Sequence, residues 1–146
     1  MEISYLRKSY GDRHLIKDFT YNFVKGDRVG IIGRNGLGKS TLLNLITGQL
    51  RPDGGEVEKG EQTVFGYYKQ ENLAYKPGQT VLDRVREVTD HIKLSTGREI
   101  SAADYLNRFL FPPKQQHDKV DKLSGGEKRR LQLLLVLIAQ PNFLIM

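Results

Sequence analysis

Residues 33–40 read GRNGLGKS. The stretch fits the pattern G-x-x-x-x-G-K-[ST], and its neighbours fit as well. RVGIIG, residues 28–33, is a short apolar run that reads as a strand. KSTLLNLITGQL, residues 39–50, puts Leu42, Leu43, Leu45 and Ile46 at helical spacing. The spacing has a chemical reason. Glycine lets the backbone curl until successive N–H groups point inward, which makes a concave nest for an anion. A helix starting near Gly38 adds first-turn N–H groups and the positive end of its dipole. Lys39 is placed for the β- and γ-phosphates of a nucleotide, Ser40 offers a hydroxyl to Mg²⁺, and Thr41 can bond the α-phosphate. The candidate binding residues for ATP and Mg²⁺ are therefore Gly33, Asn35, Gly36, Gly38, Lys39, Ser40 and Thr41.

Outward from that loop, the N-terminal part reads as strands. DFTYNFV alternates, with Phe19, Tyr21 and Phe23 on one face and Thr20 and Asn22 on the other. YGDR before it and KGD after it are turn-like, as is RPDGGE further on. QTVFGYYKQ is another strand candidate. TVLDRVREVTDHI predicts a helix with Val81, Leu82, Val85 and Val88 on one stripe. SAADYLNRFLF predicts a second, with Ser101 as N-cap and Pro112–Pro113 as its stop. SGGEKRRLQLLLVLIAQ predicts a third, whose apolar far end should be buried, and PNFLIM returns to a buried strand. The expected class is α/β with a separate helical part. The expected organisation is 1–70 for the β part and phosphate-loop core, 71–122 for a helical subdomain, and 123–146 for the last helix and strand.

Composition bounds the rest. A chain of 146 residues fits one domain with a real core. A net charge of +6 permits an anionic partner such as nucleotide, RNA or acidic lipid. The absence of cysteine excludes disulfides and thiolate metal sites, and favours a reducing, cytoplasmic setting. The longest apolar run, residues 133–139, is too short to span a bilayer, and no signal peptide is expected.

A second glycine pair lies in KLSGGEKRRL. Ser124 and Glu127 form an S-x-x-E capping box, which leaves Gly125 and Gly126 unexplained. Each costs up to about 1 kcal/mol against alanine inside a helix. The positive KRR run also sits at the positive end of the helix dipole, where cations are disfavoured. Such violations mark a place where a phosphate approaches.

The phosphate loop followed by LSGGE resembles an ATP-binding-cassette (ABC) ATPase domain, a P-loop NTPase core with an N-terminal antiparallel β part and a helical subdomain. The resemblance implies that Ser124, Gly125 and Gly126 are the signature, which contacts the γ-phosphate of ATP held by a partner cassette. It implies that Tyr10 is the aromatic that stacks on adenine, and that Gln70, in YYKQEN, touches Mg²⁺ and the attacking water. Lys39 and Gln70 are the candidate catalytic residues; Ser40 and Gln70 are the candidate Mg²⁺ ligands. The later part of the chain is most similar to the second cassette of a Uup-type ABC-F protein. Two positions depart from the common pattern: Leu37 stands where a small residue is usual, and Glu127 replaces glutamine.

In that family an Asp and a Glu follow the Walker B strand. FLIM resembles that strand, and no Asp-Glu dipeptide occurs in the 146 residues. The expectation is a cassette incomplete at its C-terminus, inactive by itself, with ATP hydrolysis performed by the intact protein. The implied function is ATP-driven closure of two cassettes, followed by hydrolysis to ADP and phosphate, on a ribosome- or RNA-linked target. The alternative is the nucleotide-binding subunit of a transporter, with a membrane permease as partner. His14, His91 and His117 are expected at the surface.

Overall fold

A computed structural model describes residues 1–94 and 96–146. The described residues form two compact units, Met1–Thr63 and Val64–Met146.

The first unit is built on a three-stranded antiparallel sheet, β1 (Glu2–Tyr10), β2 (Arg13–Asn22) and β3 (Gly54–Glu58), in the order β2-β1-β3. The β1–β2 turn is Gly11–Asp12, and Tyr10 pairs with Arg13 across it. The alternation expected around DFTYNFV is present: Phe19, Tyr21 and Phe23 are half-buried, while Thr20 and Asn22 are exposed. The expected turn at RPDGGE is shorter, because Gly54 already opens β3. Gly55 must be glycine. A Cβ there would stand 2.3 Å from the carbonyl oxygen of Tyr5, and its φ is +76°. Ile3, Leu6, Ile16, Leu45 and Ile46 are the buried apolar residues of this unit. The last two belong to α1 (Lys39–Ile46), which follows the phosphate loop as expected.

RVGIIG is not a strand. Residues 28–33 lie outside every element, and Ile32 is 98 % exposed. A β-strand exists through ladder bonds to a neighbour, and no described strand pairs with this run.

The second unit holds a helical core and two small sheets. β4 (Phe65–Tyr67) pairs in parallel with β7 (Phe143–Ile145), so the strand expected in PNFLIM is formed. It is not buried on both faces: Ile145 is buried, but Leu144, which points to the opposite face, is exposed. α2 (Val81–Arg86) begins with a capping box from Thr80 and Asp83. It stops earlier than the expected stripe, and Val88 is exposed. Thr89 lies just beyond, where its hydroxyl donates to the His91 carbonyl at 2.7 Å, a local bond that competes with helix. The chain turns instead into a hairpin, β5 (His91–Lys93) with β6 (Glu99–Ser101).

α3 (Ala102–Arg108) is capped by Ser101, whose Oγ accepts from the Asp104 N–H, as expected. It ends at Arg108, before the prolines, and Leu110 just beyond it has φ +60°. Pro113 opens the short α4 (Pro113–Gln116), since proline is tolerated in a first turn. A 3-10 turn at Val120–Lys122 leads to α5 (Gly125–Ile138). Leu131, Leu134 and Ile138 of α5 are buried with Val85, Leu106, Phe111 and Val120 in one apolar cluster. The far end of α5 is thus buried along one stripe, while Leu133, Leu135, Val136 and Leu137 are half-buried.

Candidate functional site

In the first unit the sequence from Gly33 to Thr41 forms a loop that runs into α1. Gly36 and Gly38 have φ of +80° and +94°, a conformation that side chains other than glycine rarely adopt. Gly38 is the N-cap of α1, and no side chain caps that helix. The Leu42 N–H makes the bond back to the Gly38 carbonyl at 2.8 Å. The N–H groups of Lys39, Ser40 and Thr41 therefore have no acceptor within the helix. No acidic residue lies in the first turn, so the helix itself offers no carboxylate to its positive dipole end. The Lys39 ammonium is folded back, donating to the carbonyls of Gly33 at 2.6 Å and Arg34 at 2.9 Å. An anion over the loop would compete for that ammonium. Asn35 and Ser40 are exposed, Thr41 half-buried. Leu37 is accommodated because its side chain is exposed and lies beside Gly33.

Tyr10 ends β1; the residue is 54 % exposed, and the Lys8 ammonium lies 5.7 Å from its ring centre. Asp53 secures this end of the strand: it accepts from Lys8 Nζ at 2.6 Å and from the Ser9 N–H at 2.8 Å. Those bonds, the lysine's above all, hold the Asp53 carboxyl below its ordinary pKa. Arg13, which sequence reasoning did not single out, connects this hairpin to the loop. Its Nη2 donates to the Gly36 carbonyl at 2.8 Å. Its position opposite Tyr10 across a tight turn was the available signal.

In the second unit the structure places Gln70 and residues 124–126 around α5. The capping box is formed: Ser124 Oγ accepts from the Glu127 N–H at 3.3 Å, and Glu127 Oε2 accepts from the Ser124 N–H at 2.8 Å. The Ser124 hydroxyl and N–H, with the Gln115 amide, push the Glu127 carboxyl below its ordinary pKa. Gly125 and Gly126 are exposed, and a Cβ at either would meet nothing within 4 Å. No packing inside the chain requires glycine there, so the surface is open to a group from outside. The KRR run is less anomalous than its sequence suggests. Lys128 donates to the Asp121 carbonyl at 3.2 Å and Arg130 to that of Leu110 at 3.2 Å. Gln70 is exposed, just past β4. His14, His91 and His117 are exposed, as expected.

The family model for ABC transporters matches residues 16–146. The chain belongs to the ABC transporter family. It is 43 % identical over 94 % of its length to an uncharacterized ABC transporter ATP-binding protein, YfmR, of Bacillus subtilis. It is 40 % identical over its whole length to the energy-dependent translational throttle protein EttA of Escherichia coli. To the ATP-binding protein Uup of E. coli it is 37 % identical over 92 % of its length. These three matches cover 22 %, 26 % and 21 % of the relatives, so the chain spans roughly a quarter of their length. The likeness to EttA and Uup agrees with a cassette of the ABC-F, Uup type. Among solved structures, an ATP-binding cassette captured as a dimer with ADP and Pi superposes with a TM-score of 0.67 at 22 % identity. That match covers 96 % of this chain and 70 % of the other, which establishes the P-loop NTPase fold of the ABC type. Among the described residues no helix is long and apolar enough to cross a membrane.

Proposed function

We propose that this cassette binds ATP with Mg²⁺ and belongs to an ABC-F type ATPase. In it, ATP closes two cassettes on one another, and hydrolysis to ADP and phosphate releases them. The observation that carries the reading is the loop at residues 33–41, with its left-handed glycines, uncapped helix start and foldable Lys39 ammonium. In this reading the N–H groups from Gly36 to Thr41 wrap the phosphates, and Lys39 exchanges its two carbonyl partners for phosphate oxygens. Tyr10 stacks on the base and Arg13 keeps the loop in shape. Ser40 would hold Mg²⁺, which supplies positive charge to the phosphate oxygens, and Gln70 keeps the role that the family resemblance implies, toward Mg²⁺ and the attacking water. Ser124, Gly125 and Gly126 would meet the γ-phosphate on a second cassette, since the space above both glycines is open. The catalytic roles of Lys39 and Gln70 belong to the intact protein, in the cytoplasm, and 71–122 would act there as the helical subdomain. The likeness to EttA, an energy-dependent translational throttle protein, supports a target linked to translation, for which the ribosome or its RNA is the proposed candidate.

Binding of a non-hydrolysable ATP analogue, followed by calorimetry, tests the reading. Lys39→Ala is expected to weaken it at least tenfold, the scale of a lost charge-assisted bond. Equal affinity in parent and variant would sink it.

A further inference from the structure

One polar residue interrupts the apolar part of α5: Gln132, within LQLLLVLI. Its side chain is half-buried and bonded to the backbone of a neighbouring loop. Nε2 donates to the carbonyl of Lys69 at 3.0 Å and to that of Glu71 at 3.2 Å. Both partners are acceptors, so the amide orientation is unambiguous: the NH₂ group, with its two donors, faces the loop. The residue between those carbonyls is Gln70. Residues 69–74 belong to no helix or strand, so their carbonyls have no ladder to bond.

The segment is held at both ends: at its far end Arg84 Nε donates to the Ala74 carbonyl at 3.0 Å, and before it the β4–β7 pairing fixes the chain. The Tyr68 N–H donates to the Ile145 carbonyl at 2.8 Å, the last bond of the β4–β7 pairing. Gly66 packs so closely on α5 and the turn after it that a Cβ would lie 2.6 Å from Pro141 Cγ and 3.0 Å from Val136 Cγ1. Beyond Tyr68 the Gln132 amide is the grip that continues this attachment around Gln70. The same helix carries Ser124 at its N-cap, eight positions earlier, about 12 Å along the axis. Beside the grip is a cleft of about 290 Å³ lined by Lys69, Glu71, Leu73, Arg84 and Leu135, so the loop has room to move if released.

We propose that Gln132 is the positioning residue for Gln70. It holds the carbonyls of the two residues on either side of Gln70, so that the Gln70 amide is presented in one place and follows the movements of the helix that carries Ser124. The inference rests on the reading that Gln70 serves Mg²⁺ and the attacking water.

Two variants remove the donors: Gln132→Leu without charge, and Gln132→Glu with the shape kept. Two measurements on the intact protein read the effect. In the nucleotide-free state, hydrogen exchange should quicken at amides 69–72 while α5 keeps its protection. A role confined to helix packing would instead loosen residues 131–138. In ATP turnover, kcat should fall roughly tenfold, the effect of one or two lost hydrogen bonds. KM for ATP should stay within about twofold, and more Mg²⁺ should be needed for half-maximal rate. In a Gln70→Ala background, Gln132→Leu should produce no further fall, because coupled residues are not additive. Parental exchange at 69–72, or a full additional fall in the double variant, overturns the inference. So does a parental rate for Gln132→Leu alongside a slow Gln70→Ala. If Gln70→Ala itself turns over at the parental rate, the reading of Gln70 fails and the inference fails with it.

Discussion

Glycines of three kinds occur in this chain, and their neighbourhoods predict different outcomes for the same substitution. Gly38 has φ +94°, and an added Cβ would come within 3.3 Å of Leu15 Cβ. Gly38→Ala should cost about 1–3 kcal/mol through backbone strain, and should also weaken ATP-analogue binding by distorting the nest. Gly66 has ordinary backbone but no space. Gly125 and Gly126 have both ordinary backbone and space. Alanine there is expected to leave stability unchanged or to raise it, by up to about 1 kcal/mol for each helical glycine replaced, with no fall in melting temperature. The same substitution should depress ATP turnover of the intact protein. A fall in melting temperature together with parental turnover would mean that these glycines serve folding rather than the partner's nucleotide.

At the scale of elements, the caps were the most legible feature. Ser101 and the Ser124–Glu127 pair act as the S-x-x-D/E spacing requires, because a cap involves residues only three apart. Ser124→Ala should destabilise α5 by about 1 kcal/mol. Glu127 adds a pH dependence. Its pKa lies below the ordinary 4.5 when folded, so the carboxylate's contribution is complete above that value and is lost as pH falls through the lowered one. Melting temperatures of parent and Glu127→Gln, followed from pH 7 to pH 3, should differ most at neutral pH and converge in acid. A constant gap would count against the capping carboxylate. Helix and strand limits were less legible. α2 ends at Arg86 because Thr89 and the β5–β6 hairpin claim the following backbone, and α3 ends before its prolines. Residues 28–33 have strand-like composition yet no ladder. Composition favours a strand, but only a neighbouring strand can make one.

For the molecule as a whole, stability of the second unit rests on its apolar cluster. Leu134 is fully buried there. Leu134→Ala should cost about 2–5 kcal/mol, since the transfer term and the residual cavity add. Hydrogen exchange of the α5 amides would measure it. A loss below about 1 kcal/mol would mean that the cluster collapses freely around the gap.

By itself the sequence determined the phosphate loop, the helix that follows it, the caps of α3 and α5, the strand at Phe143–Ile145 and the likeness to the ABC family. These depend on glycine spacing, on residues three or four apart and on apolar periodicity, all written in adjacent positions. Only the tertiary structure decided that Arg13 holds the Gly36 carbonyl and that Gln132 grips both sides of Gln70. It also decided that Gly125 and Gly126 face open space. Those facts join residues up to 63 positions apart, or concern what is absent around a side chain. Hydrogen bonds over such separations exist only after the core has packed, so no local pattern announces them.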